Sequence, residues 1–195
     1  MVDLRIVPIT PARLGDLDTL FARGDPRTCQ CAYLRLTHRD YAHSSPAEHR
    51  DLHHRAVRRA ARAKRTAGMI AYDDAGPVGW VSIGPRSEFA RIVASPVLQP
   101  VDDAEVTSVV CFVIAPRARR RGVARALLDA VIAYAAEHGI GLLEAYPVDR
   151  GERAPGAELW RGPRRLYEAA GFTVAAARQA NATARPQLIM RRTVP

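Results

Sequence analysis

Apolar positions change spacing along the chain in a way that marks out a mixed series of strands and helices. Leu4–Ile9 (LRIVPI) is a short apolar run and reads as a first strand. Thr10 then caps a helix with Pro11 at its first position. Leu14, Leu17, Leu20 and Phe21 fall on one face of it before Gly24 stops it. Residues 25–44 hold no period and read as a loop or lid. Ser45, Pro46 and Glu48 spell a capping box. The helix that follows shows only a thin stripe (Leu52, Ala56, Ala60, Ala63), so a surface helix is expected. Two apolar runs flank Asp73–Pro77 and predict a hairpin, and residues 85–103 form a proline-rich connection. Val106–Ala115 is apolar almost throughout, as a central strand covered on both faces would be. Arg119–His138 reads as a helix facing inward through Val123, Leu127, Val131 and Tyr134, with Gly139 as its stop. A strand (140–148), a loop (149–163), a short helix ended by Gly171 and two last strands (173–177, 187–192) complete the series. The class is α/β (α+β). With no internal repeat and no break in composition, one domain spanning 1–195 is expected.

Composition adds little to the fold and more to the partner. Apolar residues make up 48% of the chain and charged residues 25%, with no apolar run near the ~20 residues of a membrane span. The start, MVDLRIVPIT, lacks a secretory pattern, so a cytoplasmic protein without membrane attachment is expected. Three cysteines do not make a disulfide framework. The net charge of +9 points to an anionic partner: nucleic acid, a phosphorylated cofactor or an acidic substrate.

The sharpest chemical signal lies in VVCFVIAPRARRRGVARALL, Val109–Leu128. A helix start already exposes unpaired N–H groups and the positive end of the dipole. Surrounding it with arginines is unfavourable unless an anion sits there, and a phosphate makes both features attractive. Gly122 and Ala124 leave no bulk where a ligand must approach the backbone. The dinucleotide fingerprint and the P-loop pattern are both absent. Arg119-Arg120-Arg121-Gly122-Val123-Ala124, after a strand and a proline, resembles the acyl-CoA signature of the GNAT superfamily of N-acetyltransferases. LYEAAGF, Leu166–Phe172, resembles that family's second signature. The likeness runs over about Leu4 to Arg192 and is specific from Glu105 to Phe172.

The resemblance implies a mixed, mostly antiparallel sheet with a splayed central strand and helices on both faces. It implies acetyl-CoA as co-substrate and the primary amine of a small molecule or peptide as acceptor. The cofactor region would be 105–138, with main chain around Arg119, Arg120, Arg121, Gly122, Val123 and Ala124 on the pyrophosphate. Phe112, Val113 and Ile114 would bind the pantetheine arm as a neighbouring strand would. Tyr167 matches the tyrosine that protonates the departing thiolate. Glu144 matches a base of some members, its alternative being a strand carboxylate that faces solvent or pairs with an arginine. Glu105 is a weaker candidate, and Ser108 stands where other members carry a glutamate.

The acceptor side would comprise roughly residues 10–65 and the loop 147–163, longer than is common in the family. Tyr33, Arg35 and Tyr41 would be pocket residues, and Arg35 or an arginine of the long loop could hold a carboxylate. Cys29 and Cys31 fit such a lining better than a zinc site. Nucleic acid is not the expected partner, since the basic helix 45–65 lacks interleaved aromatics. A homodimer is compatible with the sequence. The competing function is a non-catalytic acyl-CoA-sensing or RNA-binding module of the same fold.

Overall fold

In the computed structural model, which describes residues 3–149 and 160–195, seven strands form one sheet in the order β1-β2-β3-β4-β5-β7-β6. They are β1 Arg5–Pro8, β2 Gly68–Asp73, β3 Gly76–Pro85, β4 Thr107–Ile114, β5 Leu142–Ala145, β6 Thr173–Arg178 and β7 Gln187–Thr193. All neighbours run antiparallel except β4 and β5. The helices are α1 Leu14–Phe21, α2 Asp25–Cys29, α3 Ala32–Arg35, α4 His38–Ala42, α5 Pro46–Arg62, α6 Ala90–Ala94, α7 Val123–Glu137 and α8 Arg164–Glu168.

Each face of the sheet has its own apolar core. One joins Val81, Val109 and Phe112 to Leu127 and Val131 of α7 and Tyr167 of α8. The other joins Trp80, Val110 and Val113 to Leu17 and Phe21 of α1, Leu34 of α3, Val57 of α5 and Ile92 of α6. The approach of α7 to β3 depends on Gly79, where a Cβ would lie 2.7 Å from a Val123 methyl.

Three expectations change. Residues 25–44 are not an irregular loop: α2, α3 and α4 occupy most of them. The connection 85–103 contains α6. Helix α5 is capped at Ser45 and Glu48 as the capping box requires, but its buried line is His49, His53, Ala56, Val57 and Ala60. Two histidines take core-facing positions, so the helix is far less peripheral than its thin aliphatic stripe suggests. The long loop expected at 147–163 falls largely outside the described residues.

Strand β4 sets up everything that follows. Its register with β3 runs Ser82↔Cys111 and then Ile83↔Val109, leaving Val110 as an extra residue. Such a bulge bends its strand and can end pairing on the other side. Pairing to β5 covers only Thr107, Ser108 and Val109. From Val110 to Ile114 the β5-facing edge of the central strand has no strand partner among the described residues, so the two parallel strands part after three residues.

Candidate active site

The turn that leaves β4 is built to approach an anion with its main chain. A short 3₁₀ turn, Pro116–Ala118, leads to Arg119 in extended conformation, Arg120 at φ 61° and Gly122 at φ 82°. Helix α7 therefore begins at Val123, four residues later than its periodicity suggests. Gly122 is the residue that adopts φ 82° without strain, and nothing lies within 4 Å of where its Cβ would stand. Arg119, Arg120 and Arg121 are exposed. Arg119 reaches back to the Ile114 carbonyl at 3.3 Å. Among the described residues none of the three forms an ion pair with a carboxylate, whereas the flanking Arg117 and Arg125 are held by Asp73 and Asp129. The residues present thus fit a diphosphate: three exposed arginines and the start of α7 surround the open approach at Gly122, at the end of the strand that parts from β5.

Tyr167 lies beneath this edge, fully buried, its ring 6.4 Å from Phe112 and 5.3 Å from Phe172. Its hydroxyl donates to the Arg161 carbonyl at 2.5 Å. Burial and then the neighbouring Cys111 thiol push the phenol well above its ordinary value, so it holds its proton.

Glu144 is also fully buried, but its carboxylate is occupied. It accepts from the Tyr146 hydroxyl at 2.6 Å and from Arg191 Nε at 2.7 Å, with Arg86 at 3.4 Å. Because the single phenolic proton of Tyr146 goes to Glu144, Ser108 must be the donor in its 2.7 Å contact with Tyr146. Burial, followed by the charge of Glu144, raises the Tyr146 phenol strongly. The network continues through Arg191 to Asp102 at 2.6 and 2.9 Å, which holds that carboxyl down at about 2. Arg86 and Arg191 neutralise Glu144 at the root of the β4–β5 fork, as the arginine-paired alternative expects. Tyr146, Arg86, Arg191 and Asp102 are the members that sequence reasoning missed; TyrPro directly after a buried strand was the available signal for Tyr146.

On the opposite face, Cys29, Cys31 and Cys111 gather near the bulge, with Val110, Tyr33, Leu34 and Trp160 around a small gap. Cys31 hydrogen-bonds Cys111, an effect that joins burial in raising the Cys111 thiol well above its usual range. Burial likewise raises the Cys29 thiol, which pairs with the Tyr41 hydroxyl; burial and Cys29 push Tyr41 up to about 12. Gln30 and Cys31 are consecutive non-glycine residues at φ 48° and 55°. Each such conformation costs roughly 1–3 kcal/mol, and it is what turns Cys31 inward between α2 and α3. No group of three or more His, Cys, Asp or Glu side chains among the described residues could hold a metal ion.

Tyr33 also lines a larger cavity of about 660 Å³ beyond this gap, bounded by α3, α4, α6 and the β6–β7 connection. Arg35 does not belong to it. Its side chain is 2% exposed and is bound to Glu88 at 3.1 Å under the Phe89 ring, so the expected carboxylate contact at Arg35 is withdrawn. Burial lowers the Arg35 guanidinium and Glu88 offsets this.

The family model for the acetyltransferase (GNAT) family matches residues 32–172. The chain belongs to the GNAT acetyltransferase family. This acetyltransferase chain shares its fold with solved structures at low identity. One is the histone acetyltransferase HPA2 and related acetyltransferase of Corynebacterium glutamicum (18% identity, TM-score 0.61, 100% of this chain and 98% of that one). A second is yncA of Salmonella typhimurium with its cofactor acetyl-CoA (13%, TM-score 0.59, 98% and 94%). A third is the ribosomal-protein-S18-alanine N-acetyltransferase of Escherichia coli (15%, TM-score 0.52, 98% and 94%). No curated protein matches this GNAT sequence. No described helix is long and apolar enough to cross a membrane.

Proposed function

We propose that the protein, acting as one catalytic unit over residues 1–195, transfers the acetyl group of acetyl-CoA to a primary amine of a small molecule or peptide. One observation carries this reading: the unpartnered β4 edge at Val110–Ile114 leads straight into an arginine-lined turn whose main chain is open at Gly122. The turn Arg119–Ala124 holds the diphosphate, and Phe112–Ile114 holds the extended arm as an added strand. Bound there, acetyl-CoA supplies an activated acyl thioester. Free N–H groups of the splayed edge stabilise negative charge on the acyl oxygen. Tyr167 gives its hydroxyl proton to the departing sulfur, exchanging its hydrogen bond to Arg161 for that transfer. As the C–N bond forms and the C–S bond breaks, the neutral amine loses one proton to solvent, and solvent returns one proton to the Tyr167 phenolate, which balances the step. Glu144 anchors Tyr146 and Ser108 at the fork rather than taking the amine proton, because its oxygens are already filled.

Calorimetric titration with acetyl-CoA, followed by thiol release across an amine panel read by mass spectrometry, tests the reading. Folded protein that does not bind acetyl-CoA overturns it. Tight binding with no thiol release from any amine replaces it with an acyl-CoA-sensing role.

A further inference from the structure

The 660 Å³ cavity has an unbalanced wall. Arg91, Arg185 and His38 line it together with Tyr33, Gln187 and Arg161, which donates to Gln187 Oε1 at 2.8 Å, and no carboxylate does so among the described residues. Arg91 is the telling member. It is half-buried, and its guanidinium donates to the carbonyls of Tyr33 at 2.6 Å and Thr37 at 3.1 Å. It stacks 4.0 Å above the Tyr33 ring. Carbonyls and a ring face orient this cation without neutralising it. Arg35, Arg86 and Arg191 each face a carboxylate, while half-buried Arg178 and Arg192 donate to carbonyls as Arg91 does but do not line this cavity. A partly desolvated cation with no counter-ion among the described residues is costly unless an anion is meant to arrive. Arg185, exposed on the β6–β7 connection, adds a second positive group at the rim. The inner end of the cavity meets the small gap at the bulge through Tyr33, which packs edge-on against Trp160 at 5.5 Å. A molecule seated here therefore has a charged end among arginines and a far end directed toward the splayed strand.

We propose that this cavity is the acceptor site and that it selects amines carrying an anionic oxyacid group, carboxylate before phosphate, with Arg91 and Arg185 as the specificity-determining residues. The inference rests on the acetyl-transfer reading for the chemistry at the amine, but not for the anion site itself. A carboxylate fits the planar fork of Arg91. Diamines and other polycations meet a wall of like charge and are rejected.

The test measures binding and turnover separately. Glycine and β-alanine are compared with methylamine and ethylamine, with aminoethyl phosphate as the second anionic arm and putrescine as the cationic control. Each is titrated into the protein by calorimetry and assayed for thiol release from acetyl-CoA. The expected result is binding of the anionic members about tenfold to hundredfold tighter than their neutral counterparts, the scale of charge-assisted hydrogen bonds. Aminoethyl phosphate outperforming the amino acids would shift the ligand from carboxylate to phosphate and overturn the stated order. Arg185→Ala should raise KM for the amino acids by about tenfold, with kcat and acetyl-CoA affinity unchanged. Arg91→Met should do the same, but Arg91 also ties α3 to α6, so Arg185→Ala decides if that variant unfolds. Thiol release from neutral or cationic amines in preference to anionic ones overturns the inference while leaving the acetyltransferase reading intact. Anion binding that is lost in Arg185→Ala, without thiol release from any amine, leaves the site standing and overturns the transfer reading instead.

Discussion

Replacing Glu144 by glutamine separates a structural anchor from a catalytic base. The wild-type carboxylate has no solvent contact and accepts from Tyr146, Arg191 and Arg86. Glutamine keeps the shape, removes the charge and turns one acceptor oxygen into a donor facing another donor. Deleting one member of a buried ion pair costs about 3–5 kcal/mol. Here the loss falls at the lower end. Arg191 retains two contacts with Asp102 at 2.6 and 2.9 Å, and Arg86 retains the Asp102 and Ala104 carbonyls at 3.2 Å. Their side chains also keep 12–13% exposure. About 3 kcal/mol is expected, which for a domain of this size lowers Tm by about 6–12 °C. Urea unfolding and thermal melts at neutral pH measure this, and a pH–rate profile of the same variant is recorded beside them. An anchor predicts a large stability loss and an unchanged profile shape in the enzyme that remains folded. Glu144→Gln within about 0.5 kcal/mol of wild type, with one limb of the profile missing, would show that Glu144 is the base and refute the anchoring argument.

Three further outcomes are expected. Tyr167→Phe preserves the ring contacts with Phe112 and Phe172 but removes the proton donor, so turnover falls about 10²–10⁴-fold with acetyl-CoA affinity kept; an unchanged single-turnover rate removes Tyr167 as the acid. Gly122→Val puts a branched side chain at φ 82°, costing about 1–2 kcal/mol, and fills the open approach, so calorimetry should show acetyl-CoA affinity at least about tenfold weaker; equal affinity dissociates the turn from the cofactor. His53 is buried with neither ring nitrogen partnered, and burial first, then Arg35, depresses it from 6.5 to about 3. Between those values the unfolded chain carries a proton that the folded chain refuses, so stability is full above pH 6.5 and falls as pH drops, by about 1.4 kcal/mol per pH unit from this group. His53→Leu should flatten the slope of unfolding free energy between pH 6.5 and 5.5, a window above the range where Asp18, Glu88 and Asp102, all held below their usual values, begin to contribute. A slope identical to wild type contradicts the assignment.

Local chemistry made much of the fold legible. The capping box at Ser45 and Glu48 forms both of its reciprocal hydrogen bonds, and the apolar runs around Asp73–Pro77 pair as a hairpin. The arginine–glycine turn stands between a strand and a helix, as its chemistry demands. What stayed hidden was decided by tertiary contact. Helices of four or five residues, such as α3, are too short to display a period, and their backbone is fixed by burying Leu34 and Cys31. His49 and His53 look polar in sequence yet face the core, because Ser44 and the Thr28 carbonyl satisfy one and aromatic rings enclose the other. The arginine partners of Glu144 lie 58 and 47 residues away along the chain, a distance no spacing rule spans.

The bulge at Val110 was the least readable feature and organises the rest. A strand apolar at nearly every position shows no alternation whose interruption could be noticed. Yet one extra residue ends the pairing with β5 after Val109 and frees the edge beyond it. It also puts Val110 and Cys111 together on the α3 face, where alternation would have separated them. The arginines then sort by what meets them around this strand. Arg86 and Arg191 are neutralised at its fork; Arg119, Arg120 and Arg121 stand without carboxylates beyond its C-terminal end; Arg91 waits without one in the cavity that opens toward its bulge. The net charge of +9 is therefore more than a diffuse coat. Part of it stands in two places, the turn after β4 and the wall of the cavity, and these are where the proposed cofactor and acceptor would each bring an anion.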